Sequence, residues 1–218
     1  MNTIPRLQRP NFIKSLYYTL PCLCWFFIGG LMVSMEEKRS IFIWINTHSN
    51  DFGDAIMPYI TNLGEGYFII PSLLLLLLFR KNRNLYFFAA LVACNILPML
   101  ITQGIKAWVN APRPLAYFPD TSWIHHLASQ PYNYYKSFPS GHTEGIFAFT
   151  TFLALILPPK WKWLGIPLFI MALAVGYSRM YLAHHFFADV YVGSLIGMLF
   201  CLLTYAAISK LEQRSAIL

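Results

Sequence analysis

The sequence predicts an all-α integral membrane protein with six transmembrane helices, and three observations carry that prediction. Of 218 residues, 57% are hydrophobic and only 11% are charged, a balance too apolar for a soluble domain of this length. Apolar runs recur six times from one end of the chain to the other, as one helical domain over 1–218 would require. The basic residues gather between those runs, so the net charge of +7 is not a nucleic-acid footprint, and no nucleic-acid partner is expected.

Taken in order, residues 1–15 carry Arg6, Arg9 and Lys14 with two prolines and read as a cytoplasmic tail. Leu16–Met35 is the first span. It ends in Met-Val-Ser-Met-Glu-Glu, which lacks a small-x-small cleavage signal, so the span is read as uncleaved. Glu36–Asn62 is mixed and polar-aromatic and suits an interfacial helix and loop. Gly64–Phe79 is the second span, followed by Arg80-Lys81-Asn82-Arg83. Leu85–Ile105 is the third, with a kink expected at Pro98. After the long polar stretch Lys106–Gly141 come Thr143–Leu157, Trp163–Ser178 and Phe186–Ile208 as spans four to six. Spans four and five are short against the roughly 20 apolar residues a bilayer asks for. Their polar ends are therefore expected to dip toward the headgroups. Cys22, Cys24, Cys94 and Cys201 all fall inside apolar runs and read as buried thiols rather than metal ligands.

Lysines and arginines orient the bundle. Ten lie in the N-terminal tail, the loops after spans two and four, and the C-terminus. Six lie on the opposite side: Lys38, Arg39, Lys106, Arg113, Lys136 and Arg179. By the positive-inside rule both termini are cytoplasmic, and the second side faces outward, into the periplasm of a Gram-negative cell.

Three polar constellations share that outer side. In Ser178–Asp189, His185 and Asp189 are four apart, within side-chain reach on a helix, and Arg179 offers a planar fork of donors suited to phosphate. A carboxylate so placed can hold an imidazole in one tautomer, as in a base or nucleophile pair. Lys106 and Arg113-Pro114 close span three. Pro139-Ser140-Gly141-His142 opens span four, where free backbone N–H groups at a positive helix end favour an anion. Taken singly, each has a plainer reading as a snorkelling cation, a helix cap or an interfacial histidine.

Together, Lys-x6-Arg-Pro, Pro-Ser-Gly-His and Ser-Arg-x5-His-x3-Asp, in this order, resemble the signature of the type-2 phosphatidic-acid phosphatase superfamily, over about half the chain. The soluble vanadium haloperoxidases share the motifs, but this chain looks like the integral-membrane lipid phosphatases. The resemblance implies metal-independent, cofactor-free hydrolysis of a phosphorylated membrane lipid. On that implication His185 is the nucleophile that becomes phosphohistidine, Asp189 orients it, and His142 protonates the leaving oxygen and then activates water. Lys106, Arg113 and Arg179, with Ser140 and the Gly141 N–H, bind the phosphoryl oxygens.

Undecaprenyl diphosphate is the first expectation and lipid A phosphate the next, with phosphatidylglycerol phosphate and phosphatidic acid also open. The motifs recognise phosphate and do not rank the headgroups. Two rivals use the same framework: a lipid-to-lipid phosphotransferase, and a non-enzymatic lipid-binding or transport protein. His184 reads as a bystander pointing elsewhere. His125 and His126, with Trp123, Tyr132, Tyr134 and Tyr135, read as an aromatic belt or the wall of a headgroup pocket. Glu144 is either a dipole-favoured acid or a partner that tunes His142. Gly29, Gly30, Gly193 and Gly197 read as helix-packing positions.

Overall fold

The computed structural model describes Leu7 and residues 15–35, 38–79 and 84–215. The expected tail cations Arg6, Arg9 and Lys14 and the Arg80–Arg83 loop lie outside the described residues. Within them the secondary structure is helical, with no strand: α1 (Leu16–Met35), α2 (Lys38–Thr47), α3 (Asp51–Asn62), α4 (Gly66–Leu75, continued by a 3₁₀ turn Leu76–Leu78) and α5 (Leu85–Val109). There follow α6 (Pro114–Tyr117), α7 (Gly141–Ile156), a 3₁₀ segment Pro159–Leu164, α8 (Gly165–Tyr181) and α9 (Phe187–Ser215).

Local chemistry sets several boundaries. Asn50 and Asn84 cap α3 and α5 by accepting the Gly53 and Phe87 N–H groups at 2.9 and 2.6 Å. The helix α5 runs unbroken through Pro98 and stops at Asn110, whose left-handed φ of 44° asparagine tolerates. The helix α8 ends where Ala183 adopts φ 56°. That turn lets the His184 and His185 N–H groups both reach the Arg179 carbonyl, at 3.0 and 3.1 Å.

Four described helical segments are long and apolar enough to cross a membrane: Leu16–Met35, Leu85–Tyr117, Pro159–Tyr181 and Phe187–Ser215. The pair Asp51–Asn62 and Gly66–Leu78, bent by 53° at a short break, makes a fifth if it is one span. At 16 residues α7 is shorter than the usual span, as its sequence suggested. The segment expected to be an interfacial helix and loop forms two helices instead, and the second of them is the first half of the bent pair. Asn50 supplies the cap that the polar composition concealed.

Helix α9 is the central post, packed along α7 and α5, with α8 on α7 and α1 across α8 and α9. A Cβ at Gly193 would sit 2.5 Å from the Ser140 carbonyl, and one at Gly197 2.2 Å from the Glu144 carbonyl. Only glycine allows this backbone-on-backbone approach, which draws the first turns of α7 against α9. Two tethers hold α1: Tyr18, buried, reaches the Thr150 and Thr151 hydroxyls at 2.8 and 3.0 Å, and the half-buried Trp25 Nε1 donates to Ser194 Oγ at 2.9 Å. Because α5 and α8 run toward one end of the bundle while α7 and α9 start there, their polar termini converge. Lys160, Lys162, Lys210 and Arg214 lie at the other end.

Candidate active site

At the convergent end, Lys106 comes from the last turn of α5, Gly141 and His142 from the first turn of α7, and Arg179 from the last turn of α8. Arg113 immediately precedes α6, and His184 and His185 lie in the connection before α9. All of these line one cavity of about 1030 Å³. Ser140 and Asp189 do not form its wall. Both are fully buried behind it, where the Ser140 N–H donates to the Asp189 carbonyl at 2.9 Å and ties α7 to α9.

Each cation is held from behind by neutral acceptors rather than by a carboxylate. Lys106 Nζ donates to the Lys136 carbonyl at 2.8 Å. The Arg113 backbone N–H and Nε bind the Tyr134 and Tyr135 carbonyls at 2.8 and 2.9 Å, and Nη1 reaches the His184 carbonyl at 3.3 Å. Arg179 Nη1 donates to Thr61 Oγ1 at 2.7 Å, while its buried Nε has no partner within the protein. Dipoles orient these charges without neutralising them, so the cavity end keeps its positive potential. An anion satisfies such a site best.

The first turn of α7 adds to that preference. Ser140 stands at its N-cap, yet the side chain makes no capping bond; its Oγ accepts the Thr143 hydroxyl at 2.9 Å. The N–H groups of the opening turn are therefore left to the helix end, with Gly141 in the cavity wall.

His185 turns Nδ1 away from the cavity. That nitrogen lies 3.5 Å from both Asp189 Oδ2 and Ser137 Oγ, which leaves Nε2 as the nitrogen for the cavity. Asp189 Oδ2 also accepts the Phe186 N–H at 2.9 Å and a short hydrogen bond from the Ser137 hydroxyl. The expected His185–Asp189 pairing is thus present at long range, with Ser137 bound to the same carboxylate. Burial, and then the Arg113, Arg179 and Lys106 cations, hold the His185 imidazole well below the ordinary histidine range. That environment favours the uncharged ring.

His142 Nε2 lies 2.7 Å from Glu65 Oε1, across the break between α3 and α4. His184 does not point elsewhere: it lines the same cavity, with Nε2 3.3 Å from Gln130 Oε1, because residues 182–186 are not helical. Glu144 also lines the cavity, buried, with Oε1 lacking a partner. His125 binds Asp54 at 2.8 Å and takes no part in the wall, and His126 stacks on Tyr132 at 4.3 Å.

Sequence reasoning missed Thr61, Glu65 and Ser137. Thr61 and Ser137 carry no signal of their own. Glu65 does, as a lone acid between two apolar runs, where an ionisable residue is a functional candidate by default.

Away from this polar end the cavity turns apolar and runs between α4 and α5, past Ile69, Leu73, Met99, Ile96, Val92 and Phe88. From Phe88 to Lys106 along a helix rising about 1.5 Å per residue is roughly 27 Å, close to the hydrophobic thickness of a membrane.

Comparison with known proteins points the same way. Residues 85–213 match the model of the PAP2 superfamily. The chain is 31% identical over 207 residues to an undecaprenyl-diphosphatase of Sulfolobus acidocaldarius, spanning 92% of this chain and 91% of that one. It superposes on the crystal structure of Aquifex aeolicus LpxE with a TM-score of 0.64 at 30% identity, covering 75% of this chain and 92% of that one. The transmembrane PAP2-type phosphatidylglycerolphosphate phosphatase of Bacillus subtilis shares the fold, with a TM-score of 0.63 at 23% identity over 89% of this chain and 97% of its own.

Proposed function

The chain belongs to the PAP2 superfamily and is a multi-pass membrane phosphatase; from that premise we propose that it hydrolyses a terminal phosphate of an envelope lipid through a phosphohistidine on His185. The observation that carries the reading is a single cavity that joins Lys106, Arg113, Arg179, His142 and His185 to a long apolar groove. A phosphate with a long apolar tail fits both halves at once. Lys106, Arg113 and Arg179, with the Gly141 N–H, hold the equatorial oxygens, and Ser140 supports that turn from behind the wall. Phosphoryl transfer asks a protein mainly for this positioning and charge.

In the proposed sequence His185 Nε2 attacks phosphorus, and the phosphorus–oxygen bond to the lipid breaks as His142 gives its proton to the departing oxygen. Neutral His142 then takes a proton from water, which attacks the phosphohistidine and releases phosphate. Asp189, with Ser137 and the Phe186 N–H fixing its carboxylate, keeps the His185 tautomer that presents Nε2. Positive groups already surround the phosphoryl position, and of the two carboxylates in the described wall, Glu65 and Glu144, Glu65 is paired with His142, which supports metal-independent chemistry without a cofactor.

Undecaprenyl diphosphate is the preferred substrate, supported by the similarity to an undecaprenyl-diphosphatase; lipid A phosphate comes next, ahead of phosphatidylglycerol phosphate and phosphatidic acid. We place the site at the outer face of a bacterial inner membrane. In this arrangement α7 and the bent α3–α4 pair complete six spans and both termini are cytoplasmic, in keeping with Lys160, Lys162, Lys210 and Arg214 at the opposite end. Phosphate release by purified protein from a panel of these four lipids, with chelator present, tests the reading. Release from undecaprenyl diphosphate above the others is expected; transfer of phosphate to a second lipid would favour the phosphotransferase, and no turnover of any lipid would favour the binding protein.

A further inference from the structure

We infer that Glu65 is the positioning residue for His142 and supplies the negative charge that lets His142 serve as the general acid; the inference rests on the phosphatase reading above. Glu65 belongs to none of the three motifs. It stands at the N-cap position of α4, in the break of the bent helix pair, yet it makes no side-chain capping bond. Its Oε1 lies instead 2.7 Å from His142 Nε2. The break is built to reach that far. A Cβ at Gly64 would lie 3.0 Å from the His142 carbonyl oxygen and 3.1 Å from its Cβ, so the backbone there rests directly on the histidine. Three residues earlier, Thr61 Oγ1 holds Arg179. One irregular turn therefore sets both a phosphate-binding cation and the acid.

The charges around His142 explain why a carboxylate is needed. Arg179 from α8, Arg113 before α6, Lys106 from α5 and Lys136 from the loop before α7 face the cavity it shares, with His184 and His185 beyond them. All the cations oppose a protonated imidazole. On its own helix the nearest acid is Glu144, two residues on, and no hydrogen bond joins it to His142. Among the described residues Glu65 is the carboxylate paired with His142. A carboxylate at hydrogen-bond distance favours the charged imidazolium and fixes the ring, leaving Nδ1 for the reacting oxygen. The proton leaves Nδ1 as the phosphorus–oxygen bond breaks and is restored from the attacking water, so the cycle closes with Glu65 ionised throughout.

The test compares leaving groups. Wild type, Glu65→Gln and Glu65→Asp are assayed in detergent on a long-chain alkyl monophosphate and on 4-nitrophenyl phosphate. An alkoxide must be protonated as it departs, whereas a nitrophenolate need not be. Glu65→Gln is expected to lower kcat/KM on the alkyl phosphate by about 10²-fold, the lower range for loss of a general acid. On 4-nitrophenyl phosphate kcat/KM should fall by less than about fivefold, the leaving-group dependence of a lost proton donor; kcat/KM ends with the phosphohistidine, so the water step common to both substrates does not enter it. Glu65→Asp, which keeps the charge, should recover part of the alkyl rate. Equal losses on both substrates in Glu65→Gln, or no loss on either, overturn the inference and leave Glu65 a structural ion pair. A wild type without turnover on either substrate would instead overturn the phosphatase reading itself.

Discussion

The Ser137 hydroxyl and the Asp189 carboxylate are joined by a short, fully buried hydrogen bond, made to the same carboxylate oxygen that faces His185 Nδ1 at 3.5 Å. Ser137 reaches that position from the loop before α7, outside every recognised motif. With the Phe186 N–H it fixes the carboxylate on which the imidazole tautomer depends. Ser137→Ala removes one hydrogen bond from a buried charged acceptor, worth about 1.5 kcal/mol. The expected result is a fall in kcat of about tenfold, with KM little changed, read from steady-state phosphate release.

The charge around His185 sets one limb of the pH profile. In the proposed mechanism only neutral imidazole attacks, and burial together with Arg113, Arg179 and Lys106 holds this imidazole well below the usual value of about 6.5. As pH falls, an ordinary histidine would be protonated near 6.5 and the rate lost. Here activity should persist on the acid side well past that point, with the acid limb of kcat/KM at lower pH. Neutralising one of the cations, as in Arg113→Gln, should move that limb back up. The profile is measured on 4-nitrophenyl phosphate, so that the leaving group needs no proton.

Much of this was legible in the sequence because it is written as periodicity and spacing. The first span was placed residue for residue at Leu16–Met35, since nothing but hydropathy determines it. The three motifs converge because antiparallel helices bring alternate ends together. What was hidden was carried by contacts far apart in the chain. The α3–α4 break reads as polar linker until Asn50 is seen to cap a helix and Glu65 to cross to His142. Ser140 lies beside Gly141 in sequence but behind the cavity wall in space. The expectation that His184 faces away assumed a helix, and the left-handed turn at Ala183 removes it.

Packing of α9 on α7 gives a prediction for stability. Gly197 touches the Glu144 carbonyl so closely that any side chain must push the helices apart. Overpacking of this kind costs about 1–3 kcal/mol. Gly197→Val should lower the thermal midpoint in detergent and, because Glu144 and Ser140 ride on the same turns, depress activity as well. Gly104, which has open space around it, is the control: Gly104→Ala should leave the midpoint unchanged or raise it.

The proposed orientation is tested by labelling. Cysteines placed at Ser49 or Ser129, at the site end, should react with a membrane-impermeant maleimide in intact cells. A cysteine at Asn82, in the basic loop outside the described residues, should react only after the membrane is opened. Labelling confined to Asn82 would place the chemistry in the cytoplasm.

The central claim is that His185 Nε2 forms the covalent intermediate, and trapping tests it most directly. Wild type, His185→Ala and His142→Ala are mixed with ³²P-labelled lipid substrate, quenched in base, and examined for acid-labile, base-stable phosphoprotein. Wild type should give a labelled band. His142→Ala, still holding the nucleophile but slowed about 10² to 10⁴-fold in protonation and water activation, should still be labelled with a diphosphate, whose leaving group is already acidic. His185→Ala should give none. A labelled His185→Ala protein, or one with undiminished phosphate release, would contradict the account and move the nucleophile elsewhere in the cavity, with His184 the residue to test.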